Sequence, residues 1–207
     1  QHRSGDWGFD NDRGDALDFS DFDRAVSVRL DQGFAQDLTG SLTFGDRDLF
    51  VRFFDRTSME DVSGTRFSDE IRANDRNNAI AGNAGDDTIR GEKGWDFIDG
   101  GAGNDSLEGG DGQDSLVGGD GNDTLDAGAT QNSTLDGGSG SNTLDYGRAS
   151  AGVSASLTGG QDARGNQFSR FSNLGGSNYD DTLAGDARGE VIGLAASLHA
   201  EADVFRP

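Results

Sequence analysis

The chain has no cysteine, so neither a disulfide nor a thiolate metal site can contribute to its fold. Histidine is nearly as scarce. His2 and His199 are the two present, neither sits in an H-E-x-x-H context, and both read as surface residues rather than ligands. No G-x-S-x-G elbow occurs, which leaves Ser-His-Asp hydrolysis without its nucleophile turn. No stretch is long and apolar enough to span a bilayer, and no hydrophobic pore segment is present. Basic residues are outnumbered: 17 Lys and Arg face 38 Asp and Glu, and a net charge of −21 argues against nucleic acid and anionic membranes as partners. With 38 carboxylates, acidic pairs occur everywhere and carry no argument for glycoside chemistry. The chain is therefore expected not to be an enzyme. It opens on Gln1 with no cleavable leader, as expected of a processed product or an excised fragment.

Glycine is what the chain has in excess: 34 of 207 residues, against a usual share of about 7%. Much of it falls in five consecutive nonapeptides over residues 82–126: GNAGDDTIR, GEKGWDFID, GGAGNDSLE, GGDGQDSLV and GGDGNDTLD. Each has a glycine-rich turn, an aspartate at position six and an aliphatic residue at position eight, the pattern G-G-x-G-x-D-x-U-x. A fixed short period is the mark of a solenoid, because each unit can bury its apolar residue only against its neighbours. The register extends back through ANDRNNAIA (Asn78, Ile80) and GTRFSDEIR (Asp69, Ile71). Forward, AGATQNSTLD carries one extra residue and Asn132 at its sixth place, and GGSGSNTLD restores the period with Asn142. Residues 64–145 thus form one roll, weakening at both ends.

Glycine at positions one, two and four is expected because the turn needs φ above zero and close approach of carbonyls to an ion. The x-U-x stretch is a short strand with U inward. One inward residue in nine is a thin core, so a further force must hold the turns. Hard divalent cations take six to eight oxygens, and a glycine-rich turn with one aspartate supplies carbonyls and a carboxylate together. If two nonamers make one coil, Ile71, Ile89, Leu107 and Leu125 line one sheet, and Ile80, Ile98, Leu116 and Leu135 the other. Asp69, Asp87, Asp105 and Asp123 then share one edge, and Asp96 and Asp114 the opposite one. Without a cation each edge is a column of like charges. A disordered Gly/Asp-rich linker is the plain alternative, but it has no reason to keep an aliphatic residue at every ninth place.

A longer repeat is superimposed. Residues 17–33 align without gaps onto 144–160, and 59–71 onto 171–183. Each copy joins the end of a roll, an alternating strand (Val26-Val28-Leu30 or Val153-Ala155-Leu157), a connector and re-entry into a roll. Worn nonamers at the two ends place Asp15, Asp181 and Glu190 at position six. Expected boundaries are a roll end at 1–18, a β connector at 19–63, the roll at 64–145, a second connector at 146–175, and the start of a second roll with a tail at 176–207. Residues 34–58 read as a β-hairpin turning at Gly45-Asp46-Arg47-Asp48, with Leu49, Val51 and Phe53 on one face and Phe50 and Phe54 on the other. It either packs over the roll or presents a partner-binding face. Trp95 and Phe97 point outward and are expected under this connector rather than free for a sugar. Asp162, outside the register, is expected to matter little.

The nonamers, together with the DTLDY and N-L-x-G-S-x-x-D-D-T-L-x-G segments, resemble RTX proteins, calcium-binding proteins exported by Gram-negative bacteria through type I secretion. The resemblance implies an all-β fold, a right-handed parallel β-roll with antiparallel connector segments. It implies calcium between successive turns, with Asp87 paired to Asp105, Asp105 to Asp123, and Asp96 to Asp114, and with Asp69 and Asp181 as further ligands. Main-chain oxygens would complete the shells: Gly82, Asn83, Ala84 and Gly85; Gly100, Gly101, Ala102 and Gly103; Gly109, Gly110, Asp111 and Gly112; Gly118, Gly119, Asp120 and Gly121. Asn78, Asn132 and Asn142 would weaken the flanking sites, and Glu92 and Lys93 would disturb the second turn. The implied location is secreted or at the cell surface. Two roles follow, a structural or adhesin-type surface protein that self-assembles through its roll ends, and an accessory module of an exported enzyme that aids export, folding or glycan binding.

Overall fold

The computed structural model describes residues 15–20, 26–29, 49–52, 59–127, 132–186, 192–193 and 204–206, and every regular element among them is a strand. Alternating hydrophobicity with one aliphatic residue per nonamer dictates the result. Three-residue strands centred on position eight, such as Glu70–Arg72, Thr88–Arg90, Ser106–Glu108 and Thr124–Asp126, alternate along the chain with Ala79–Ala84, Phe97–Ala102 and Ser115–Asp120. The first set builds a nine-stranded sheet and the second belongs to an eleven-stranded one. Two nonamers make one coil.

Register follows the aliphatic residues. Ile71 pairs with Ile89, Ile89 with Leu107, and Leu107 with Leu125, all in parallel. On the other sheet Ile80 pairs with Ile98, Ile98 with Leu116, and Leu116 with Leu135. Each of these side chains is at most 1% exposed, so the core is two facing columns of Ile and Leu. Burying each contributes roughly 2 kcal/mol. The column continues through Leu125 to Leu144 and Leu144 to Leu174, past the extra residue and the connector. The core register is therefore the same on both sides of the extra residue.

The second connector leaves the roll in antiparallel fashion. Ser154–Ser156 pairs with Gln161–Asp162, which pairs with Gln167–Ser169, and this last strand rejoins the sheet parallel to Thr134–Asp136. Here aromatic residues replace the thin aliphatic column: Tyr146, Phe168 and Phe171 are buried, and the two phenylalanines meet edge to face at 6.3 Å. The Tyr146 hydroxyl donates to Asp162 Oδ2 at 2.9 Å. The same carboxylate accepts the Arg164 and Asn166 amides and the Asn166 side-chain amide. Asp162 is 6% exposed, which corrects the expectation that it matters little: it is the buried hub of the connector.

Of the expected first connector, residues 21–25, 30–48 and 53–58 lie outside the described residues, the expected turn at Gly45-Asp46-Arg47-Asp48 among them. Leu49–Arg52 pairs in parallel with Val26–Arg29, which in turn pairs with Glu70–Arg72, so this segment continues the nine-stranded sheet. Trp95 and Phe97 are 64% and 49% exposed. Among the described residues no helix is long and apolar enough to cross a membrane.

Candidate metal centre

Each turn is shaped by its glycines in two ways. Gly101 and Gly103, at positions two and four, take φ of 102° and 143°, a region open to glycine at little steric cost. Gly100, at position one, has no such angle; it is glycine for want of room. A Cβ there would lie 2.4 Å from Asp105 Oδ2 and 2.7 Å from the Gly118 carbonyl oxygen of the next coil. Gly82, Gly91 and Gly118 repeat that arrangement with Asp87, Asp96 and Asp123 and the carbonyls of Gly100, Gly109 and Gly137. The expectation of positive φ at position one is thereby corrected to one of close approach. The turn at Glu92 and Lys93 keeps the common shape, with Glu92 at φ 77° and Gly94 at 127°. Its two long side chains are drawn aside, Glu92 to Arg72 and Lys93 to Asp75.

The aspartates stack as the sequence register places them. Asp87 Oδ1 accepts the Asp69 amide at 2.7 Å, Asp105 Oδ1 that of Asp87 at 2.8 Å, and Asp123 Oδ1 that of Asp105 at 2.9 Å. On the opposite edge Asp96 Oδ1 accepts the Asn78 amide and Asp114 Oδ1 that of Asp96. One oxygen of each carboxylate is thus fixed to the coil before it. The other is not. Oδ2 of Asp87, Asp96, Asp105 and Asp123 is buried with no hydrogen-bond donor. An ionised carboxylate left so is costly unless something positive meets it.

The electrostatics report the same deficit. Asp87 and Asp96 are pushed up to about 7, first by burial, against the lowering effect of the amide each accepts, and then by the neighbouring aspartates. Asp105 and Asp114 rise to about 6 for the same leading reason, and Asp123 is raised too. Among the described residues no three His, Asp or Glu side chains converge on one point. The donors on offer are single carboxylates with glycine carbonyls, all hard oxygens. That set fits a hard divalent cation seated between successive turns. A bound cation would meet the unpartnered carboxylate oxygens and hold the stacked aspartates in their charged form.

Other predicted residues are placed differently. Asp69 and Asp181 are buried, but their outer oxygens already hold donors: Asp69 Oδ2 accepts the Thr65 amide at 2.6 Å, and Asp181 Oδ2 the Ser177 amide at 2.7 Å. Past the extra residue, position six is Ser133 and not Asn132. Counting back from Leu135 sets it there, and Ser133 Oγ accepts the Asp114 amide. Asn142 does the same for Asp123. Of the expected carbonyl donors, those of Ala102, Gly119 and Asp120 accept amides of the neighbouring coil. His2, His199 and Glu190 lie outside the described residues.

Sequence reasoning passed over position five. The Asn104 amide donates to Asp86 Oδ1, the Asn122 amide to Asn104 Oδ1, and the Ser141 amide to Asn122 Oδ1. A second ladder, exposed and running opposite to the aspartate one, therefore links the coils. The recurrence of Asp and Asn at that place was the available signal. Trp95 sits in it as a donor alone, its amide held by Asn77.

A family model described as RTX calcium-binding nonapeptide repeat, in four copies, matches residues 72–107, 99–133 and 127–149. No curated protein matches the chain. Residues 72–149 thus match the RTX calcium-binding nonapeptide repeats, and calcium is the ion that these repeats take.

Proposed function

We propose that the chain is a secreted structural module whose roll is completed by extracellular calcium, acting in an adhesin-type or surface protein. Repeats of this kind are typical of secreted proteins, and an ion present at millimolar level outside the cell serves there as the staple that cysteine does not supply. Asp87, Asp96, Asp105, Asp114 and Asp123 are the side-chain ligands in this reading, with the position-one glycine carbonyls beside them. The observation that carries it is the set of buried carboxylate oxygens without donors, repeated at the same place in successive coils. Replacing Asp105 tests it, because Asp105 is bonded to the coils on both sides. Asp105→Asn should move the calcium midpoint of folding to higher concentration and lower its cooperativity. A variant that folds at the wild-type calcium concentration would remove Asp105 from the site.

Among the described residues the end strands of each sheet are paired on one side, which supports a further step, self-association end to end. Unpaired strand edges invite another chain to add on, and head-to-tail contacts that do not close give filaments. Calcium would relieve the charge of −21 that opposes this. Light scattering across a calcium titration tests it, and a monomer at high protein concentration and millimolar calcium would exclude it. The exposed pair Trp95 and Phe97 supports a second reading, an accessory module that stacks on a glycan carried by the substrate of an attached enzyme. Neutral oligosaccharides that quench Trp95 emission would favour it.

A further inference from the structure

We infer that the residue at position two decides whether a turn of this roll takes calcium, and that the turns at residues 64–69 and 176–181 are closed by a hydroxyl and take none. The inference rests on the calcium reading above and sharpens it, because it separates two kinds of turn that share the same buried aspartate.

The open turns carry positive φ at position two. Asn83 (79°), Glu92 (77°), Gly101 (102°), Gly110 (98°) and Gly119 (111°) all have it, and position four follows with Gly85, Gly94, Gly103, Gly112 and Gly121. Among these turns, the Oδ2 atoms of Asp87, Asp96, Asp105 and Asp123 are buried without a donor. The turns GTRFSD and GSNYDD have Thr65 and Ser177 at position two, Phe67 and Tyr179 at position four, and none of these four has a positive φ. With the peptide in that other orientation, the position-two amide points at the aspartate.

The closed turns then fill the aspartate with protein donors. The Thr65 amide donates to Asp69 Oδ2 at 2.6 Å and its hydroxyl to Asp69 Oδ1 at 3.0 Å. The Ser177 amide and hydroxyl reach Asp181 Oδ2 and Oδ1, each at 2.7 Å. Each hydroxyl also accepts the amide of position four, from Phe67 at 3.0 Å and from Tyr179 at 3.1 Å. The position-one carbonyl is filled as well in the first case, since Asn83 Nδ2 donates to the Gly64 oxygen at 2.9 Å. The two turns lie far apart in sequence, one at the entry to the roll and one after the second connector, yet share the same set of bonds. A hydroxyl and an amide at position two do there what the cation does elsewhere. Thr65 and Ser177 are thus specificity-determining residues that fix where the calcium block stops.

Counting bound calcium per chain at saturation, by equilibrium dialysis and atomic emission, tests this on the full chain. Asp87→Asn should lose about one ion, whereas Asp69→Asn should lose none while lowering stability. Thr65→Gly with Phe67→Gly converts the turn to the open pattern and should gain about one ion. Thr65→Ser keeps both the amide and the hydroxyl and should leave the count unchanged. A count for Asp69→Asn that falls as far as that for Asp87→Asn would overturn the inference. So would an unchanged count in a folded Thr65→Gly, Phe67→Gly chain; if that variant does not fold, the two aspartate variants decide alone. A wild-type chain that binds no calcium would overturn the calcium reading beneath it, a result distinct from either.

Discussion

Glycine at position one keeps its Cα against a carboxylate oxygen, and a single methyl is enough to test that. In Gly100→Ala the added carbon would meet Asp105 Oδ2, whose carboxylate is tied through Oδ1 to the Asp87 amide, and the Gly118 carbonyl of the next coil. The expected cost is about 2 kcal/mol at saturating calcium, read from denaturant midpoints. Asp162→Asn should cost about as much for another reason. The connector would lose an acceptor matched to the Tyr146 hydroxyl, two amides and Asn166, and a buried donor left unmade costs roughly 1–3 kcal/mol. A neutral Asp162→Asn would return that residue to the role its sequence position suggested. Neither site announced its geometry in the sequence. Glycine at position one was visible but its reason was not, and Asp162 has no periodic neighbour to mark it.

Coils stack through position-six ladders in which Asp87, Asp96, Asp105, Asp114 and Asp123 are held above the usual carboxylate range, and this fixes a pH dependence. For Asp87 and Asp96 the value rises from 3.8 in an exposed chain to about 7 in the ion-free roll. Between those values the ion-free fold binds more protons than the unfolded chain, so its stability increases as pH falls from about 7 towards 4. Above about 7 the full penalty of the buried charges is present. In calcium-free buffer, far-UV circular dichroism should therefore show more β structure at pH 5 than at pH 7.5. Less β structure at the lower pH would contradict the placement of these aspartates. With calcium bound the carboxylates stay ionised, and the dependence should flatten above about pH 5. The strands, the two-nonamer coil and the pairing of Ile71 with Ile89 or Leu116 with Leu135 were all legible, because a period of nine leaves one alignment of aliphatic residues. The position-five ladder and the shift from Asn132 to Ser133 were not. The first hides in a place the repeat pattern leaves free, and the second depends on which side of the extra residue the core keeps its register.

Among the described residues the roll is a thin core between two sheets with carboxylates buried along both edges, and the chain carries a net charge of −21. On the calcium reading proposed above, much of its stability comes from outside the chain. At about 1 mM calcium and a dissociation constant near 0.1 mM, usual for extracellular modules, each site adds roughly 1.4 kcal/mol. A handful of such sites matches the total stability of a small domain, roughly 5–15 kcal/mol. The ends of the roll follow the same logic: at Thr65 and Ser177 a hydroxyl and an amide of the chain close the turn in place of the ion. The central claim, that calcium completes the roll, is tested most directly by far-UV circular dichroism of the chain at neutral pH, first in EDTA and then across a calcium titration. A largely unfolded spectrum in EDTA should convert cooperatively to a β spectrum below about 1 mM calcium. The same β spectrum in EDTA and in calcium would contradict it.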